Sequence, residues 1–119
     1  MANVNETIEN LMGIEGATTT ALVDSSSGMV LGKAGTRLNA DVAAAGITEV
    51  VRAEMKVLKM LAPKEKIEDI LITLGENYHV IRPLAEKVGL FIYVVLDRSR
   101  ANLAMARFRT TEIEAELAM

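Results

Sequence analysis

The stretch from Ala40 to Leu61 limits what this chain can fold into more than any other part of it. It holds no proline, and Asn39 or Asp41 stands ready to cap a helix there. Wound at roughly 100° per residue, it gathers Asp41, Thr48, Glu49, Arg52, Lys56 and Lys59 into one polar arc of about 100°. Nearly all the rest is apolar. Ala43, Gly46, Val50, Ala53, Val57 and Leu61 make one strip, and Ile47, Val51, Met55 and Leu58 make a second beside it. A surface helix needs one apolar stripe; this one has enough for two partners. One strip is expected to lie on the chain's own sheet, and the other to meet a second copy around a two-fold axis. Ala43, Ala44, Ala45, Gly46 and Ala53 are small enough to let two helix backbones approach closely. Glu54 projects into the apolar arc, so it is expected either paired at the seam between the strips or displaced to the rim.

The flanking pattern supplies that sheet. Val4, Ile8, Leu11 and Met12 recur at helical spacing behind a cap at Asn3 or Asn5, and Gly13 and Gly16 stop the helix. Ala17 to Asp24 is rich in β-branched residues and reads as a strand. Ser25 to Gly28 is a turn, Met29 to Gly32 is the return strand, and Gly32 and Gly35 close the hairpin. Pro63 ends the long helix. Ile67 to Leu74 is the third strand, Gly75 to Asn77 a tight turn, and Tyr78 to Pro83 the fourth strand. Leu90 to Leu96 is an unbroken apolar run, as expected of a central strand covered on both faces. Asp97 or Ser99 caps a last helix from Arg100 to about Leu117. The order αββαβββα, with short links inside each group of strands, predicts an α+β fold with a mostly antiparallel sheet and helices on both faces.

Composition removes several functions. At 119 residues, half of them apolar, the chain is expected to form one domain with its own core. Thirteen Lys and Arg against sixteen Asp and Glu argue against nucleic-acid binding. With no cysteine and a single His79, neither a disulfide framework nor the usual cysteine or histidine metal site is available, and no metal or other cofactor is expected. Two Tyr, two Phe and no Trp leave little for an aromatic stacking platform. Residues 1–9 carry no basic segment followed by an apolar run, and Leu90–Leu96 is too short to span a bilayer. The chain therefore reads as cytoplasmic and without membrane insertion.

No nucleophile, base and orienting group can be assembled from these residues. Ser25-Ser26-Ser27-Gly28 lies in a hairpin turn and lacks the strand-to-helix setting of a phosphate loop. Asp24 at the strand end reads as a turn cap. His79 shares a strand face with Ile81 and Pro83, and without partners it reads as structural. Arg98, Arg100, Arg107 and Arg109 surround the last helix; they read as a solvated face answering Glu112, Glu114 and Glu116, or as a contact for an anionic surface. The catalytic set is thus expected to be empty.

Taken in order, five segments resemble the Roadblock/LC7 family, its bacterial branch most of all. They are Leu11 to Ala17 (LMGIEGA), Ala21 to Met29 (ALVDSSSGM), Tyr78 to Leu84 (YHVIRPL), Gly89 to Asp97 (GLFIYVVLD) and Ala101 to Arg107 (ANLAMAR). The resemblance implies a five-stranded antiparallel sheet in order 2-1-5-4-3, with the middle helix on one face and the terminal helices on the other. It also implies a homodimer through the middle helix and third strand, acting as a platform for a small Ras-like GTPase in signalling or polarity. On that basis the dimer seam is expected at Ile47, Val51, Glu54, Met55 and Leu58, with Ile70 and Ile72 from the third strand. Arg52, Lys56 and Lys59, the polar face of the middle helix, are candidate contacts for the GTPase. Two other functions stay open: a small-ligand sensor with a cavity lined by Met12, Met55 and Met60, and a purely structural subunit of a larger complex.

Overall fold

In a computed structural model, which describes residues 1–119, the elements run α1 (Val4–Met12), β1 (Ala17–Asp24), β2 (Val30–Gly35), α2 (Ala40–Leu61), β3 (Ile70–Thr73), β4 (Asn77–Pro83), β5 (Leu90–Asp97) and α3 (Leu103–Glu116). The strands form one antiparallel sheet in the expected order β2-β1-β5-β4-β3. Two hairpins, β1–β2 and β3–β4, stand side by side with β5 between them. That leaves β2 and β3 as the two edges.

The unbroken apolar run explains the layering. Side chains alternate along a strand, so β5 sends Phe91, Tyr93 and Val95 into one core and Ile92, Val94 and Leu96 into the other. The first core lies between the sheet and α2, where Ala44, Ile47 and Val51 meet Ala21, Val23 and Ile81. The second lies under the terminal helices, where Ile8 and Leu11 of α1 and Ala106 and Ile113 of α3 cover Leu22 and Val80. The middle helix therefore occupies one face alone.

Helix starts follow side-chain capping. Asn3 accepts from the Glu6 amide at 2.9 Å while Glu6 accepts from the Asn3 amide at 3.1 Å, a reciprocal capping box. Asn39, rather than Asp41, caps α2 through the Val42 amide at 3.2 Å. At α3 the expected boundary moves. Asp97 accepts from the Ser99 amide and hydroxyl, at 2.9 and 2.7 Å, and so closes a turn instead of starting a helix. Asn102 then caps at 3.1 Å through the Met105 amide, and the helix begins at Leu103 rather than Arg100.

Two strands also differ from expectation. β2 runs through Gly32 to Gly35 because Gly32 is not a terminator: α1 crosses it so closely that a Cβ there would stand 2.8 Å from Val4 Cγ1. β3 is shorter than Ile67–Leu74, since only Ile70–Thr73 pairs with β4.

Candidate protein-binding surface

The site is built on α2, and its two halves differ. The first half packs down: Ala40, Ala44, Ile47, Thr48 and Val51 are all buried. Thr48 belongs to the buried side and not to the polar arc, because its hydroxyl donates to Ala44 O at 2.7 Å and needs no water. Beyond Val51 the helix leaves the sheet. From Arg52 to Leu61 only Leu58 is partly buried. Val50, Met55, Val57, Met60 and Leu61 are exposed, the last two at 70% and 77%. Close by, edge strand β3 turns Ile70 and Ile72 toward the α2 side, whereas exposed Leu71, opposite Val80, faces the side of the terminal helices. Ile70 and Ile72 pack partly on the core beneath α2 and are half-buried.

Within the protomer, the residues of the expected seam divide into buried and exposed ones. Strip membership puts Ile47 and Val51 in it, yet Val51 is 1% exposed and both are committed to the protomer's own sheet. The outward strip is the one through Val50 and Val57. Met55 stands at its border and remains exposed, and Glu54 is exposed at the rim. A cleft of about 450 Å³ opens between α2 and the segment before β3, lined by Glu54, Leu58, Glu65, Glu68, Asp69 and Ile70 among others.

The three expected cationic contacts separate as well. Arg52 is engaged: its Nε donates to Ser25 O at 2.9 Å, Nη2 donates to Ser26 O, and Nη1 meets Glu49 at 3.2 Å. It clasps the β1–β2 turn to the helix. Lys56 and Lys59 are exposed and form no ion pair.

The remaining polar residues resolve into structural roles. Asp24 accepts from the Ser26 amide and hydroxyl at 2.8 and 2.6 Å, bonds that hold its carboxyl below the usual carboxylate range. His79 lies on the α2 side of the sheet, edge-on to Tyr93 with ring centroids 5.3 Å apart. With Nδ1 unprotonated, the Tyr93 hydroxyl donates to it at 3.3 Å. Burial pushes the His79 pKa down and that of Tyr93 up to about 12, so both are neutral near pH 7. Arg82 and Glu114 form a largely buried pair, and Glu114 also accepts from the Ala85 amide at 2.9 Å. Glu114 thus serves β4 and not the arginines of its own helix. Arg98 donates to Leu74 O at 2.8 Å and lies over the Tyr78 ring, while Arg107 forks onto Asp69 at 2.8 and 2.9 Å.

The methionine-lined cavity of the sensor reading is absent for a topological reason. Met12 belongs to α1 on one face of the sheet, and Met55 and Met60 belong to α2 on the other. No group of three or more metal-binding side chains assembles, and no helix is long and apolar enough to cross a membrane.

No protein-family model matches the chain, and no curated protein matches it in sequence. Solved structures do match. A Roadblock/LC7 domain from Streptomyces avermitilis superposes with a TM-score of 0.81 at 13% identity, covering 96% of this chain and 93% of that one. MglB of Myxococcus xanthus gives 0.82 at 16% identity, covering 95% and 89%. The gliding protein MglB of Thermus thermophilus gives 0.77 at 17% identity, covering 92% and 81%. At these identities the likeness is one of architecture: this chain has the Roadblock/LC7 fold.

Proposed function

We propose that this protein is a non-catalytic homodimer that binds and regulates a small Ras-like GTPase in bacterial signalling or polarity. The observation that carries the dimer is the second half of α2. Its apolar side chains stand clear of the protomer's own sheet, next to an edge strand whose outer backbone groups have no partner strand. A single cover satisfies both: a second copy, lying antiparallel across the cleft, with β3 against β3 and α2 against α2. The seam then comprises Val50, Met55, Val57, Leu58 and Leu61 with Ile70 and Ile72, and Glu54 lies at its margin. The GTPase half of the reading rests on the sequence resemblance and on the fold shared with MglB. Lys56 and Lys59, free of internal partners, are the contacts assigned to it.

The test is GTP turnover by a candidate GTPase encoded beside this protein's gene, measured with and without the purified protein. Faster turnover, or a complex formed in one nucleotide state, is the expected result. Unchanged turnover with no complex in either the GDP or the GTP state overturns the GTPase assignment. A complex with unchanged turnover reduces the role to that of a structural subunit.

A further inference from the structure

His79 is the one histidine of the chain, and it stands close to where the proposed dimer closes. On the α2 side of the sheet it lies between Ile72 of edge strand β3 and Val95 of β5, directly across from each. Tyr93 is fully buried beside it, and the only hydrogen-bond partner of its hydroxyl is His79 Nδ1, at 3.3 Å. α2 packs most closely over β1 and β2, which leaves the other edge of this face less covered: Ile70, Ile72 and His79 all remain half-buried.

We propose that His79 is a proton switch on self-association: the dimer forms with the ring neutral and comes apart when acid charges it. This inference rests on the homodimer proposed above. Two α2 helices can meet across a β3–β3 join only above those edge strands, on the face where Ile70 and Ile72 lie. A helix is about 10 Å across and neighbouring strands are about 4.8 Å apart, so a helix seated over Ile72 covers His79 as well. Covering the ring takes water from it and disfavours its charged form. Charging the ring also makes both nitrogens donors, so the buried Tyr93 hydroxyl loses its acceptor.

No charge in the protomer offsets that cost. On this face β3 and β4 carry no charged residue besides His79. β5 carries Asp97, already held by Ser99 at 2.7 Å and by Arg37 at 3.8 Å. α2 brings Glu54 at the exposed rim, while Arg52 is turned to the β1–β2 turn. The segment before β3 lines the cleft with Glu65, Lys66 and Glu68, and its Asp69 is held by Arg107. None of these forms an ion pair with His79.

The test is the dimer dissociation constant of the full chain, measured by sedimentation at pH 7.5 and pH 5.0 in the native protein and in His79→Gln, with circular dichroism showing that each is folded. Glutamine keeps an acceptor for Tyr93 and does not titrate. The native dimer should weaken by at least about tenfold on acidification, since it buries one histidine from each copy, and the His79→Gln dimer should not change. The N-terminal amine also titrates near this range, but it sits with Glu116 at 3.4 Å on the side of α1 and α3 and is present in both proteins. A second reading needs no variant. The ring protons of a lone histidine are unambiguous, and the His79 pKa should be lower at concentrations where the protein is dimeric than where it is monomeric. Three results overturn the switch and leave the homodimer standing: a native dimer equally tight at both pH values, one tighter at pH 5.0 (as a partner carboxylate on the ring would make it), or equal weakening in His79→Gln. A monomer at every concentration at pH 7.5 removes the homodimer, and the switch with it.

Discussion

Arg52 and His79 show how far a side chain's role depends on neighbours distant in sequence. Arg52 projects with the polar arc of α2, and nothing near it in sequence signals its carbonyl partners at Ser25 and Ser26. Those partners exist only once the β1–β2 turn has folded against the helix. Arg52→Ala is therefore expected to lower stability by about 1 kcal/mol, as charged hydrogen bonds at an exposed site do, while leaving the oligomeric state unchanged. Chemical denaturation and light scattering check the two halves. His79 was legible as a structural residue, because a lone histidine without partners has no chemistry to perform; its Tyr93 neighbour was not. Its folded pKa lies below the unfolded value of 6.5, so the unfolded chain binds the extra proton first. Stability is then fully present above about pH 6.5 and falls as pH drops below it. Asp24 and Asp97, whose pKa values are also lowered, act only near and below their ordinary 3.8. Melting temperatures between pH 7.5 and 5.5 should thus decline in the native protein and stay flatter in His79→Gln.

At the scale of the element, α2 was the most legible part of the chain, and the direction its two apolar strips face was the least. Its bounds, Ala40 and Leu61, and its surplus of apolar surface both follow from periodicity. Which strip turns inward does not, because two adjacent apolar strips can each cover a sheet until the fold chooses between them. The sheet takes Ile47, Thr48 and Val51, and Thr48 can join because Ala44 O satisfies its hydroxyl. The consequence is a pair of variants with opposite outcomes. Met55→Glu places a carboxylate on the outward strip and is expected to give a folded monomer, with stability within about 0.5 kcal/mol of native. Val51→Asp places one inside the protomer and is expected to destabilise the fold by more than about 3 kcal/mol. Sedimentation with circular dichroism separates the two. A Met55→Glu protein that still sediments as a dimer would remove α2 from the seam. The shortened β3 and the late start of α3 were missed for a related reason: pairing partners and the Asp97 turn, not local propensity, set those ends.

For the molecule as a whole, the strand order was legible only through resemblance, since hairpin spacing predicts which strands neighbour in sequence but not where β5 inserts. Its insertion joins the two ends of the chain's history. β5 pairs along Ala17–Asp24 on one side and along Asn77–Pro83 on the other, so the last strand made is the keystone between a hairpin made early and one made late. A ribosome would have to deliver residue 97 before the first hairpin gains its inner neighbour, and until then Ala21, Leu22 and Val23 lack the strand that shields them. The same arrangement implies that severing the link between α2 and β3, near Lys64, leaves two pieces gripping each other along the whole β1–β5 ladder. Co-expressed halves 1–64 and 65–119 should accordingly co-purify and melt as one body, whereas each alone should be recovered as aggregate. Independent melting of the halves would mean that the ladder does not hold them.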